Sequence, residues 1–181
     1  LRTKQLTLQE VKKFYSNPNL ITTRFIHPHN ALLYNEMMKL KPTSIFEFGC
    51  NWGQNLQRLR FHLPKAKLFG IDLNEKAIKL ANGLHLDVKL ADEKYLKNIP
   101  DDEYDITFTC SVLNHLPPRT TTSIIKHLQR IASKHVLLME CTQKDEERWW
   151  AHDYSKYGFE HIGFRESKVI KANYDLFWWL K

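Results

Sequence analysis

An acidic side chain followed by two spaced glycines, Glu47-Phe48-Gly49-Cys50-Asn51-Trp52-Gly53, is the grouping in this chain best suited to holding a ligand. Glycine lacks a Cβ, so backbone at such a turn can approach a bound molecule closely and enter left-handed conformations. Before it lies an apolar run, Ser44-Ile45-Phe46-Glu47-Phe48, and after it a helix start at Gln54-Asn55-Leu56. Strand, turn and helix in that order make the first β-α unit of a nucleotide-binding type of α/β domain. A dinucleotide fingerprint would need glycine at 51 and glycine or alanine at 54, where this chain has Asn51 and Gln54. A phosphate-cradling P-loop is also excluded, because Gly53 is followed by Gln54-Asn55 and not by Lys-Ser/Thr. The next apolar run, Lys67-Leu68-Phe69-Gly70-Ile71, ends at Asp72. A carboxylate roughly 20 residues past the turn can accept hydrogen bonds from two ribose hydroxyls.

The pattern acidic-x-Gly-x-x-x-Gly resembles the first motif of class I S-adenosylmethionine-dependent methyltransferases. Further motifs follow in the family's order. Leu86 to Leu90 reads as a third strand running into Ala91-Asp92. Tyr104 to Ser111 reads as a fourth, leading into Val112-Leu113-Asn114-His115-Leu116, which resembles the fourth motif of enzymes that methylate small molecules. His135 to Cys141 completes a parallel core, so the resemblance covers about Ser44 to Cys141. It implies S-adenosylmethionine as cofactor. Glu47, Gly49, Cys50, Asn51, Gly53 and Asn55 would form the turn around its methionine portion. Asp72 and Leu73 would hold the ribose and flank the base, Asp92 and Glu93 would lie near the adenine, and Ser111 and Val112 would complete the floor. Asn51 stands where the family usually has glycine. Asparagine enters the left-handed region at modest cost, so the turn is compatible with it.

These residues need a scaffold, and the alternation of elements predicts one. The resemblance implies an α/β, Rossmann-like, seven-stranded and mostly parallel sheet with an antiparallel last strand, helices on both faces and an N-terminal helical lid. The expected organisation is a single domain over residues 1–181, with a helical extension over 1–43 and the core over 44–181. Apolar residues at 8, 11, 14 and 15 predict a first helix over Leu6 to Tyr15, broken by Ser16-Asn17-Pro18-Asn19. A second is expected over His29 to Leu40, with Pro28 in its first turn and Lys41-Pro42 as its stop. By resemblance such helices close the acceptor pocket, and Tyr15, Arg24, His27 and His29 are the candidates to do so. A helix over Glu146 to Tyr157, stopped by Gly158, is expected next. Two closing strands, Phe159 to Glu166 and Asp175 to Leu180, would form a hairpin whose last strand lies beside the fifth.

Composition narrows the class. The chain has 181 residues, 43% hydrophobic and 26% charged, as in ordinary globular proteins. No apolar run approaches the ~20 residues a membrane span needs. No signal-peptide pattern opens the chain, and Leu1 in place of methionine points to a trimmed or partial sequence. Three cysteines, Cys50, Cys110 and Cys141, lack zinc spacing and suggest a reducing compartment, hence a cytoplasmic protein. Each ends a predicted strand, where it either packs as a small apolar residue or, for Cys50 and Cys110, lines the cofactor pocket. His27-Pro28-His29 without acidic partners is a cap or surface pair, and no metal site is expected. Residues 1–44 hold seven Lys/Arg against Glu10 and Glu36, so most of the net charge of +7 lies there. That excess either attracts nucleic acid or is a solvated surface.

Methyl transfer asks a protein to align donor and acceptor and to exclude water. A base is needed only when the acceptor must lose a proton early. Two histidines are candidates. His115 follows the fourth strand, and His152 lies within Trp149-Trp150-Ala151-His152-Asp153-Tyr154; a structural role is the alternative for each. The expected activity is methylation of an oxygen or nitrogen on a small-molecule acceptor. The alternatives are an RNA or nucleic-acid methyltransferase using the basic extension, and a non-catalytic cofactor-binding subunit. Against nucleic acid, Cys110-Ser111-Val112-Leu113-Asn114-His115 stands where exocyclic-amine enzymes resemble Asn/Asp-Pro-Pro-Tyr/Phe, and the Pro-Cys nucleophile of cytosine carbon-5 enzymes is missing.

Overall fold

Alternating side chains on the central strands decide how this chain layers. In β1 (Ser44–Phe48), Ile45 joins one buried cluster and Phe46 the other. The same alternation recurs in β4 (Tyr104–Cys110) and in β5 (Ala132–Cys141), where Leu137 and Met139 face one side and Val136 and Leu138 the other. A strand with two apolar faces must be covered on both, so helices pack above and below it. Helices α2 (Asn30–Leu40), α3 (Gln54–His62) and α4 (Glu75–Gly83) cover one face through Leu33, Met37, Leu56, Leu59, Ile78 and Ala81. Helices α1 (Leu8–Tyr15) and α5 (Pro118–Ile131) cover the other through Val11, Ile124, Ile125, Leu128 and Ile131. This computed structural model describes residues 5–18, 30–142, 149–167 and 172–181.

The sheet has seven strands in the order β3-β2-β1-β4-β5-β7-β6. Its remaining members are β2 (Lys67–Asp72), β3 (Val88–Leu90), β6 (Glu160–Ser167) and β7 (Ala172–Leu180). Strands β1 to β5 run parallel, while β7 is antiparallel to both β5 and β6. The expected fold class and the insertion of the last strand beside the fifth are both observed. Strand order reverses beside β1, between β2 and β4, and such switch points open a crevice at the carboxyl ends of the strands. No helix among the described residues is long and apolar enough to cross a membrane.

Local chemistry accounts for the element boundaries. Thr7 and Glu10 form a capping box that starts α1, two residues later than expected. Over its described part, residues 149–157, the helix expected over Glu146 to Tyr157 is not formed, and this part of the reading is corrected. Trp149 and Trp150 are outside any helix, the Trp150 N–H donates to the Asn114 carbonyl at 2.8 Å, and the Trp150 ring is buried. Only a single 3-10 turn remains, Tyr154–Tyr157, capped by the Asp153 side chain and ended by Gly158 at φ 80°. The tertiary anchor at Asn114 outweighs helix propensity here. Residues 146–148 lie outside the described residues, as do Arg24, His27 and Pro28-His29.

Candidate functional site

The glycine turn is tied to its neighbours by backbone. The Gly49 and Cys50 N–H groups both donate to the Ile71 carbonyl, at 2.9 and 3.0 Å, which docks the turn on the end of β2. Gly49 has φ 79° and Asn51 has φ 48°, so asparagine occupies the left-handed region that its type tolerates. A Cβ on Gly49 would fall 2.4 Å from Val112 Cγ2, so this turn and the segment after β4 meet at that point. The Asp72 carboxylate accepts from the Asn51 and Asn74 N–H groups, each at 2.8 Å. Burial pushes the Asp72 pKa upward, opposed by those backbone hydrogen bonds.

Around this turn is a cavity of about 430 Å³. Its lining includes Glu47, Gly49, Cys50, Asn51, Asn55, Asp72, Leu73, Asp92, Glu93, Ser111 and Val112. Gly53, expected with them, is absent from that lining. It caps α3 at φ 80°, and a Cβ there would meet Leu86 Cδ1 at 2.3 Å, so its role is to let α3 pack against the end of α4. Cys50 and Cys110 line the cavity, whereas Cys141 is buried in the core; none of the three is in a disulfide. Among the described residues no cluster of three or more His, Cys, Asp or Glu side chains is placed to hold a metal.

Several lining residues escaped the sequence reading. Lys12 on α1 reaches Asp92 at 2.8 Å and Glu93 at 2.7 Å. Burial lowers the Lys12 pKa, but the two carboxylates outweigh it and the net direction is upward. For Asp92, burial raises the pKa and the Lys12 and Lys94 hydrogen bonds overcome it, leaving the carboxyl below its usual range. Nothing within five residues of Lys12 marks it; only the adjacent acids Asp92-Glu93 call for a cation. Asn30, Trp149 and Tyr174 also line the cavity, contributed by α2, the segment before the 3-10 turn, and β7. Tyr15, an expected lid residue, lines it too.

Two carboxyls are wholly buried beside this space. Glu47 Oε1 accepts from Asn55 Nδ2 at 2.6 Å, and among the described residues Glu47 Oε2 has no hydrogen-bond partner. Burial lifts the Glu47 pKa to about 8, against the Asn55 hydrogen bond and with a further push from the Asp72 charge. Glu140, at the end of β5, accepts from Thr109 Oγ1 at 2.7 Å and from the Val112 and Asn114 N–H groups at 3.0 and 3.2 Å. Burial raises it to about 7, and those donors oppose the rise. Glu140 thereby fixes the segment that carries Ser111, Val112 and His115.

The two candidate histidines have different settings. His115 lines the cavity, its Nδ1 2.7 Å from the Tyr15 hydroxyl and its ring 4.7 Å from that of Trp149. The Asn114 amide nitrogen lies 3.4 Å from His115 Nε2. An amide NH2 only donates, so this contact favours the tautomer with Nε2 as acceptor and Nδ1–H donating to Tyr15. His152 is not among the lining residues. Its Nε2 is 2.9 Å from the Leu113 carbonyl and 3.0 Å from that of Leu116, so it donates there and braces the segment after β4 from behind.

Known proteins share this fold. A family model described as "Methyltransferase domain" matches residues 46–135. The tRNA N(3)-methylcytidine methyltransferase Mettl2 of Drosophila melanogaster is 23% identical over 173 residues, covering 90% of this chain and 49% of its own. The chain therefore spans about half the length of that curated relative. A SAM-dependent methyltransferase from Archaeoglobus fulgidus superposes with a TM-score of 0.67 at 16% identity, covering 96% of this chain and 98% of the other. The magnesium protoporphyrin IX methyltransferase of Synechocystis PCC 6803, solved with bound SAM, gives 0.65 at 15%, covering 98% and 85%.

Proposed function

We propose that this protein, which carries a class I S-adenosylmethionine-dependent methyltransferase domain, transfers a methyl group from S-adenosylmethionine to an oxygen or nitrogen of a small-molecule acceptor. The observation that carries the reading is Glu47 Oε2, a fully buried carboxyl oxygen in the wall of the cavity that has no hydrogen-bond partner among the described residues. A buried, unpaired charge is costly, and a cationic ligand group removes the cost. The cofactor's α-ammonium fits that place. Asp72, whose carboxylate lines the cavity and accepts from the Asn51 and Asn74 N–H groups, suits ribose hydroxyls with its remaining acceptor capacity. Leu73 and Val112 give apolar surface for the base, and Asp92 and Glu93 line the same space. When bound, the cofactor supplies a methyl group already activated by the sulfonium.

The chain's own residues then orient and shield. Glu140 holds Ser111 to His115 in register with the glycine turn, and Gly49 lets the two backbones touch. Tyr15, His115 and Trp149 form an aromatic corner that excludes water from the acceptor side. For a hydroxyl acceptor, His115 Nε2 takes the proton after the acceptor hydroxyl displaces the 3.4 Å contact from the Asn114 amide, while Tyr15 accepts from Nδ1–H and holds the ring. His152 contributes by bracing that segment.

A second reading, methylation of an RNA base, is supported by the likeness to Mettl2. Residues 48–66 contain no acidic side chain and include Arg58, Arg60 and Lys65, with Phe61 81% exposed beside Trp52 and His62 in one surface cleft. Basic surface with an exposed ring suits a single strand. The N-terminal basic excess supports it less, because Lys12 and Lys39 are engaged by acids of this chain.

Calorimetric titration with S-adenosylhomocysteine, then transfer of labelled methyl to a metabolite extract and to total RNA, tests both readings. We expect binding heat and label in the small-molecule fraction. No heat would remove the cofactor assignment, and label confined to RNA would replace the first reading by the second.

A further inference from the structure

Glu47 does not stand alone beneath the cavity. Its one hydrogen-bond donor, Asn55 Nδ2, belongs to an amide whose oxygen is claimed twice. Asn30 Nδ2 donates to Asn55 Oδ1 at 2.9 Å, and the Tyr34 hydroxyl donates to the same oxygen at 2.6 Å. Asn30, Tyr34, Asn55 and Glu47 are all buried, with Glu47 1% exposed. Asn30 Oδ1 in turn lies 3.4 Å from Cys110 Sγ. The chain of contacts runs from α2 through α3 to β1 inside the protein.

An amide has two faces, one donating and one accepting. Two donors on Asn55 Oδ1 leave only one orientation, with the NH2 group toward Glu47. With that amide reversed, oxygen would face oxygen at 2.6 Å, a contact that only a protonated Glu47 could satisfy. Asn55 gives its oxygen to Asn30 and Tyr34 and one N–H to Glu47, so it positions Glu47. Tyr34 is not among the cavity-lining residues, so it influences the site only at a distance.

We propose that Asn30, Tyr34 and Asn55 form a positioning relay through which helix α2 presents the open Oε2 of Glu47 to the ammonium end of the bound cofactor. The proposal rests on the cofactor reading given above and deepens it: seating of α2 and cofactor affinity become one linked quantity. Glu47 is also faced by Asp72 from β2, Cys50 from the glycine turn and Cys110 from the end of β4. Asp72 carries negative charge and disfavours the Glu47 carboxylate. The two thiols are held neutral by burial, and burial likewise keeps the Tyr34 phenol neutral. Arg58 stacks on the far side, its Cζ 4.9 Å from the Tyr34 ring centroid. None of these donates a hydrogen bond to Glu47, which leaves Asn55 to favour the ionised form.

Tyr34→Phe removes one of the two donors while keeping the ring and its stacking on Arg58. S-adenosylhomocysteine should bind about three- to ten-fold more weakly at neutral pH, as expected for one lost hydrogen bond. The loss should shrink as pH rises, because alkali restores the carboxylate that the amide no longer favours. In the ligand-free protein, the Glu47 carboxyl followed by carbon-13 resonance should titrate at higher pH in Tyr34→Phe than in the parent. An unmoved titration, or a loss of affinity equal at every pH, would overturn the relay. Absence of binding heat in the parent chain would instead strike the cofactor reading, so the two failures are distinguishable.

Discussion

Glu47 and Gly49 answer different demands although one residue separates them. Glu47 carries charge into a dry place, so proton linkage should accompany binding. With its pKa raised by burial to about 8, much of it is protonated at neutral pH, and a cation beside it drives that proton off. Titration of S-adenosylhomocysteine at pH 7 in buffers of different ionisation enthalpy should therefore show net proton release. In Glu47→Gln that release should disappear and affinity should fall. Gly49 answers a steric demand instead. Gly49→Ala would place a methyl 2.4 Å from Val112 Cγ2 at a φ of 79°, at a cost of about 1–3 kcal/mol from strain and crowding. A lowered melting temperature and weakened S-adenosylhomocysteine binding would both be seen. Asp72→Ala should cost about 1–3 kcal/mol of binding free energy through lost hydrogen bonds, and an unchanged calorimetric affinity would contradict its assignment.

At the scale of elements, α1 governs access. Three ties hold it over the cavity: Lys12 to Asp92 and Glu93, Tyr15 to His115, and the Asn74 amide to the Tyr15 and Asn17 carbonyls. Lys12→Ala should loosen it by roughly 0.5–1.5 kcal/mol, a range that already allows for partial solvent screening. Hydrogen exchange of the α1 amides should speed up, and S-adenosylhomocysteine should dissociate faster, with the sheet amides unaffected. The sequence made the strands, the glycine turn and the positions of Asp72 and Asp92 readable, because each is dictated by neighbours within a few residues. Lys12 was unreadable for the opposite reason, since its acids lie 80 and 81 residues away. Trp149 and Trp150 were misread as helix because Asn114, which anchors Trp150, lies far outside the local window of sequence. Asn55 lines the expected cavity, and its two donors from α2 could not be read from the neighbouring sequence.

For the molecule as a whole, pH should tilt stability in two directions. Glu47 and Glu140 bind protons more tightly folded, at about 8 and about 7, than unfolded, at about 4.3. Their contribution is complete below the unfolded value and is lost as pH rises through 7 and 8. Asp105 behaves oppositely. Burial raises its pKa, but Lys134 and the Thr43 N–H and hydroxyl outweigh that and bring it to about 2, so its contribution is lost as pH falls toward that value. Melting of the ligand-free protein should thus be highest in mildly acid buffer and decline toward pH 9. S-adenosylhomocysteine should flatten the alkaline side by giving Glu47 a counter-charge; a decline unaffected by ligand would argue against that pairing.

The place of β7 between β5 and β6 also has a consequence in time. Strand β6 is bonded into the sheet only through β7, which is translated after it. On a ribosome, β6 has no edge to join until the stretch through Leu180 clears the exit tunnel. Until then Met139 and Cys141 on β5 lack the strand that covers them. A nascent chain should therefore resist protease over β1 to β4 well before it resists over β6, and chaperones would find their target at the exposed margin of β5.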